Sequence, residues 1–176
     1  MIMRPGHQLL LPAKPLFIWG SLLTAMVLYM LQNMGLWGRA AWMPDILALV
    51  LVFWSVHQPQ KVGIGSAFVL GLFIDVHQGA MLGQHALAYT VLSFLAITIH
   101  RRLLWFGVPS QAFQVLPLFF AAHVIELSVR MLAGGAFPGF LALLAPFIES
   151  VLWPVVSVIL LFPQRRTPNP DANRPL

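Results

Sequence analysis

The sequence predicts an all-α polytopic membrane protein, with six transmembrane helices in a single bundle. Three observations carry this. Hydrophobic residues make up 59% of the 176 residues and charged residues only 9%, whereas a soluble domain carries about 25% charge. So few charges cannot solvate a water-facing surface, and so apolar a chain is not disordered. The apolar residues also fall into six runs, and the basic residues gather in alternate breaks between them. There is no cysteine, which excludes a disulfide framework, a thiolate metal site and a cysteine nucleophile. The net charge of +5 fits cytoplasmic loops beside anionic headgroups better than it fits nucleic acid.

The first span is expected at about residues 16–34. It follows Arg4 and Lys14 as a signal sequence would, but it is longer than a signal core and has no small-residue cleavage site before Gln32-Asn33. The second, about 45–57, is short for a bilayer and must be locally thinned, extended through Asp45 or sheltered by its neighbours. The remaining spans are expected at about 62–78, 84–100, 111–133 and 140–162. Pro117, Pro146 and Pro154 fall inside spans and should bend them. Residues 163–176, with Pro163, Pro168, Pro170 and Pro175, read as a disordered cytoplasmic tail. With both termini in the cytoplasm, Arg4, Lys14, Lys61, Arg101, Arg102, Arg165, Arg166 and Arg174 lie inside. Only Arg39 and Arg130 lie towards the outer face, as the positive-inside rule expects. Trp19, Trp37, Trp42, Trp54 and Trp105 fall near span ends, as an aromatic belt would, and Trp153 does not.

Ionisable residues at membrane depth need an explanation, because lipid does not solvate them. Asp45, Asp75, Glu126 and Arg130 share the outer half of the predicted bundle, and Glu149 lies near the middle of the sixth span without an evident partner. Glu126 and Arg130 are four residues apart on one helix, with His123 three before Glu126. The plainest reading is an internal ion-pair network, with Arg130 held between Asp75 and Glu126. The functional reading is a polar cavity, a proton path or a partner-binding face.

Gly63, Gly65 and Gly71 thread the third span, and Gly79 and Gly83 form a GxxxG after it. These five are expected to serve helix packing and a turn. Ser21 and Ala25 make a small-residue pair on the first span, a candidate docking face. No catalytic motif is present. Gly63-Ile-Gly65-Ser66 is not a nucleophile elbow, and His123-x-x-Glu126 lacks the second histidine of a zincin helix. A zinc site of Asp75, His77 and His85 is a remote alternative. No catalytic, cofactor-binding or metal residue is assigned.

Trp42-Met-Pro-Asp45 leads into an apolar helix ending at Trp54. Then come Gly63-Ile-Gly65-Ser-Ala-Phe68-Val-Leu-Gly71-Leu-Phe-Ile-Asp75, Gly79, Leu82-Gly83 and Glu149-Ser-Val-Leu-Trp153-Pro154. Over roughly residues 40–166 this pattern resembles the MreD family of bacterial rod-shape membrane proteins. The resemblance implies a non-enzymatic, cofactor-free inner-membrane component of the cell-elongation complex, acting in rod shape and lateral peptidoglycan synthesis. Its implied direct partner is MreC, with MreB, RodA, RodZ and the elongation transpeptidase in the same complex. It also implies a fold similar to the membrane substrate-binding subunits of energy-coupling-factor transporters, and with it a small outward-facing cavity. A small-molecule-binding transporter subunit is the competing function.

Overall fold

A computed structural model of the chain describes residues 13–34 and 42–164. The expectations for Arg4, Trp37, Arg39, Arg165, Arg166, Arg174 and most of the tail lie outside these residues.

The described chain is all-helical. Six α-helices follow in order, α1 (Pro15–Asn33), α2 (Ile46–His57), α3 (Ile64–Gln78), α4 (Gln84–Leu104), α5 (Val108–Leu132) and α6 (Ala145–Leu161). A 3-10 turn, Phe140–Leu144, leads into α6, and another, Phe162–Gln164, leads out of it. Local chemistry sets the ends. Prolines in the first turns of α1, α5 and α6 supply a preset φ where no intrahelical N–H partner is lost. Asp45 caps α2, its carboxylate accepting from the Ala48 N–H at 2.9 Å. Gly79 ends α3 in the left-handed region at φ 61°, and the Ala80 N–H donates back to the Asp75 carbonyl at 3.0 Å.

Among the described residues four helical stretches are long and apolar enough to cross a membrane, namely Pro15–Asn33, Gln84–Leu104, Val108–Leu132 and Phe140–Gln164. Helices α2 and α3 are shorter, at 12 and 15 residues. The short α2 is the centre of the bundle. It packs on α1, α4 and α6, and every residue from Leu47 to Val56 is buried. Around it the outer faces are apolar, with Phe68, Phe73, Phe94, Phe113 and Val151 exposed. That is the surface a bilayer rather than water accepts.

Several expectations are corrected. Pro146 lies in the first turn of α6 and interrupts nothing, so only Pro117 and Pro154 are interior. Helix α4 continues beyond residue 100 to Leu104, placing Arg101 and Arg102 in its last turn, where cations suit the helix dipole. The chain from residue 163 is not all tail, since Pro163 and Gln164 belong to the final 3-10 turn. Trp54 is core rather than belt. It is fully buried, and its indole N–H donates to Ser21 Oγ at 2.8 Å. The same contact uses up the Ser21–Ala25 face of α1, whose Ala25 is buried inside the chain.

The five glycines divide. Only Gly71 serves close packing. A Cβ there would collide with the Ala86 Cα and come within 2.6 Å of the Ala86 nitrogen, so α3 and α4 touch backbone to backbone. A Cβ on Gly65, Gly79 or Gly83 would meet nothing within 4 Å, and one on Gly63 only Pro59 O at 3.9 Å. Gly79 and Gly83, at φ 61° and 104°, instead make the turn between α3 and α4. Their GxxxG spacing does not lie on a helix face.

Candidate functional site: a polar cavity at one end of the bundle

Helices α1, α3 and α5 end, and α2, α4 and α6 begin, at the same end of the bundle. Between them opens a cavity of about 1050 Å³, with Tyr29, Gln32, Asp45, His123, Glu126 and Arg130 in its lining. Four of the five acidic residues of the sequence lie on or behind its wall. Asp45 and Glu126 line it, while Asp75 and Glu149 are fully buried close behind. The fifth, Asp171, lies outside the described residues.

Asp75 reaches across from α3 to the first turn of α4. It accepts from the backbone N–H of Gly83 at 2.8 Å, His85 at 2.8 Å and Ala86 at 3.3 Å, and from the ring Nδ1 of His85 at 2.8 Å. A carboxylate at a helix start meets free N–H groups and the positive end of the dipole. The His85 ring is thereby fixed with its other nitrogen, Nε2, 3.3 Å from Glu126 Oε1 on the cavity wall. That approach is off hydrogen-bond alignment, and Nε2 has no hydrogen-bond partner among the described residues.

A second chain of contacts joins α2, α4, α5 and α6. The Tyr89 hydroxyl donates to Asp45 Oδ2 at 2.5 Å. The Asp45 backbone N–H donates to Glu149 Oε1 at 2.9 Å. His123 Nε2 lies 3.5 Å from the same Glu149 oxygen, with its Nδ1 turned to the Phe119 carbonyl at 3.1 Å. Glu149 Oε2 is buried and has no hydrogen-bond partner among the described residues. Deeper in, Trp153 donates to Gln111 Oε1 at 3.2 Å.

Asp45, Asp75, His123, Glu126 and Glu149 are thus brought together around one cavity. Arg130 lines the same cavity but does not bridge Asp75 and Glu126. The side chain between those carboxylates is His85, which reaches both from α4. Arg130 is one turn beyond Glu126, near the end of α5, and makes no ion pair among the described residues. All three ion pairs found there join a histidine to a carboxylate. His77 does not join Asp75 and His85, since its Nε2 faces the Met30 carbonyl at 3.3 Å. Among the described residues no group of three or more acidic or histidine side chains is arranged to hold a metal ion.

Sequence reasoning gave His85 too small a part and missed Tyr29, Gln32, Gln84 and Tyr89. The usable signal is Gln84-His85 directly after the Gly83 turn, a polar pair opening a helix whose arginines lie only in its last turn.

A family model described as rod shape-determining protein MreD matches residues 13–166. The chain is also similar to the rod shape-determining protein MreD of Haemophilus influenzae. The two are 29% identical over 148 residues, which cover 81% of this chain and 89% of the relative. No solved structure matches. With the family match spanning all six helices and the cavity they enclose, the chain belongs to the MreD family of rod shape-determining proteins.

Proposed function

We propose that the protein is a non-enzymatic inner-membrane component of the bacterial cell-elongation complex, and that it supports lateral peptidoglycan synthesis by binding MreC. The family match over residues 13–166 carries the reading. In this reading all six helices cross the membrane and both termini are cytoplasmic. The short α2 and α3 cross within the shelter of the longer helices, and the cavity opens outward. MreB, RodA, RodZ and the elongation transpeptidase belong to the same assembly, and nucleic acid does not. Asp45, Asp75, His123, Glu126, Arg130 and Glu149 form the polar cluster of the outer half. Depleting the protein in a rod-shaped host should round the cells and release MreC from the complex. Unchanged copurification of MreC with the elongation machinery in depleted cells would refute the proposal.

One observation favours a second reading, a small-molecule-binding subunit of a transporter. The cavity, at about 1050 Å³, is large enough for a metabolite. Copurification with a transporter ATPase module instead of MreC would select it.

A further inference from the structure

The cavity has an uneven charge plan. Its inner wall carries Asp45 and Glu126, with Asp75 and Glu149 behind them; His85 pairs with Asp75 and Glu126 and His123 with Glu149, while Asp45 has no ion-pair partner and no lysine or arginine pairs with any of the four among the described residues. Two buried polar atoms close behind this wall lack hydrogen-bond partners among the described residues. His85 Nε2 is directed at Glu126, and Glu149 Oε2 belongs to a carboxyl bonded to Asp45 and facing His123. Four carboxyl groups against two histidines in a low-dielectric setting favour a further cation beside them. Arg130 stands one helical turn nearer the mouth, about 6 Å along α5. It is exposed, and no acidic partner faces it among the described residues. A guanidinium so placed matches the oxygens of a phosphate or carboxylate.

We infer that the cavity binds a small zwitterion, with a primary ammonium against Glu126 and Asp45 and a phosphate on Arg130. The lining argues for a primary rather than a quaternary ammonium. Among the described residues Tyr29 is its only phenol or indole and no aromatic cage is formed, whereas Gln32, Asp45, Gln78, Gln84 and Glu126 supply acceptors for N–H donors. The phosphate follows from depth. The mouth lies where the membrane-length helices end, beside the half-exposed Trp42, at the level of lipid headgroups. Ammonium and phosphate in one group describe an aminoethyl phosphate, either as a lipid headgroup or as a free molecule. The inference rests on the cavity and is independent of the MreC assignment.

The test uses the full chain. In detergent, binding of phosphoethanolamine, ethanolamine and inorganic phosphate is measured by calorimetry. In nanodiscs, retention of phosphatidylethanolamine against phosphatidylglycerol is read by native mass spectrometry. Phosphoethanolamine should bind at least tenfold more tightly than either half alone if the source is soluble. Selective retention of phosphatidylethanolamine, without binding of the free compound, assigns the site to the headgroup. Either result should weaken at least tenfold in Glu126→Gln and in Arg130→Ala. Equal binding of ethanolamine and phosphoethanolamine would overturn the inference, as would the absence of both selectivities in the unmodified protein. Because the probe series is read on the unmodified chain, a misfolded variant cannot rescue the idea.

Discussion

Asp75 on α3 holds the His85 ring on α4 at 2.8 Å while its carboxylate closes the first turn of the helix that carries that ring. One side chain therefore both starts α4 and aims a histidine at the cavity. Asp75→Asn keeps the size but turns an amide N–H₂ toward backbone donors. The change should cost about 2–3 kcal/mol through lost capping and unsatisfied N–H groups. Denaturation in mixed micelles checks this, and a loss below about 0.5 kcal/mol would show that the cap carries little.

Gly71 and Gly65 form a controlled pair. Gly71→Ala forces α3 away from the Ala86 backbone and should destabilise by about 1–3 kcal/mol. Gly65→Ala adds a methyl to open space and should be neutral or slightly stabilising through helix propensity. Similar melting losses for both would rule out the close approach as the cause.

For the cavity wall, a double-mutant cycle on His85→Ala and Glu126→Gln should return a coupling of about 0.5–3 kcal/mol, because the two side chains share an ion-pair contact. The corresponding cycle on Arg130→Ala and Glu126→Gln should be additive within about 0.5 kcal/mol. The reverse ranking would restore Arg130 as the clamp between carboxylates.

Topology is open to direct labelling, because the native chain contains no cysteine. Single cysteines at Met81 and Phe137, at the cavity end, should react with an impermeant maleimide from outside the cell. Those at Gln60 and Trp105, at the opposite end, should react only after permeabilisation. Labelling of Gln60 and Met81 from the same side would mean that α3 does not cross.

Much of the fold was legible because apolar run length and basic-residue placement are local properties. Asp45, Asp75, His123, Glu126 and Glu149 were legible as a set, since charge at membrane depth is conspicuous in any apolar sequence. Their pairing was not. The spacing of Glu126 and Arg130 along α5 suggests a contact, yet it cannot report that α4 brings His85 into the same place. Trp54 misled for a similar reason. A tryptophan near the end of an apolar run looks like an interface anchor until the neighbour carrying Ser21 is known to cover it. The GxxxG of Gly79 and Gly83 has the spacing of a packing motif, but backbone angles rather than spacing make it a turn.

The seclusion of α2 bears on how the protein is made. Twelve residues rise only about 18 Å, too little to span the hydrocarbon unaided. A nascent segment of that length gains little by leaving the insertion channel for lipid on its own. In the proposed six-span arrangement it must be retained until α4 and α6, which flank it in the finished bundle, have been synthesised. Assembly of this protein is therefore expected to be late and concerted. Truncation before α6 should leave α2 without its berth and the shortened product open to membrane quality-control proteolysis.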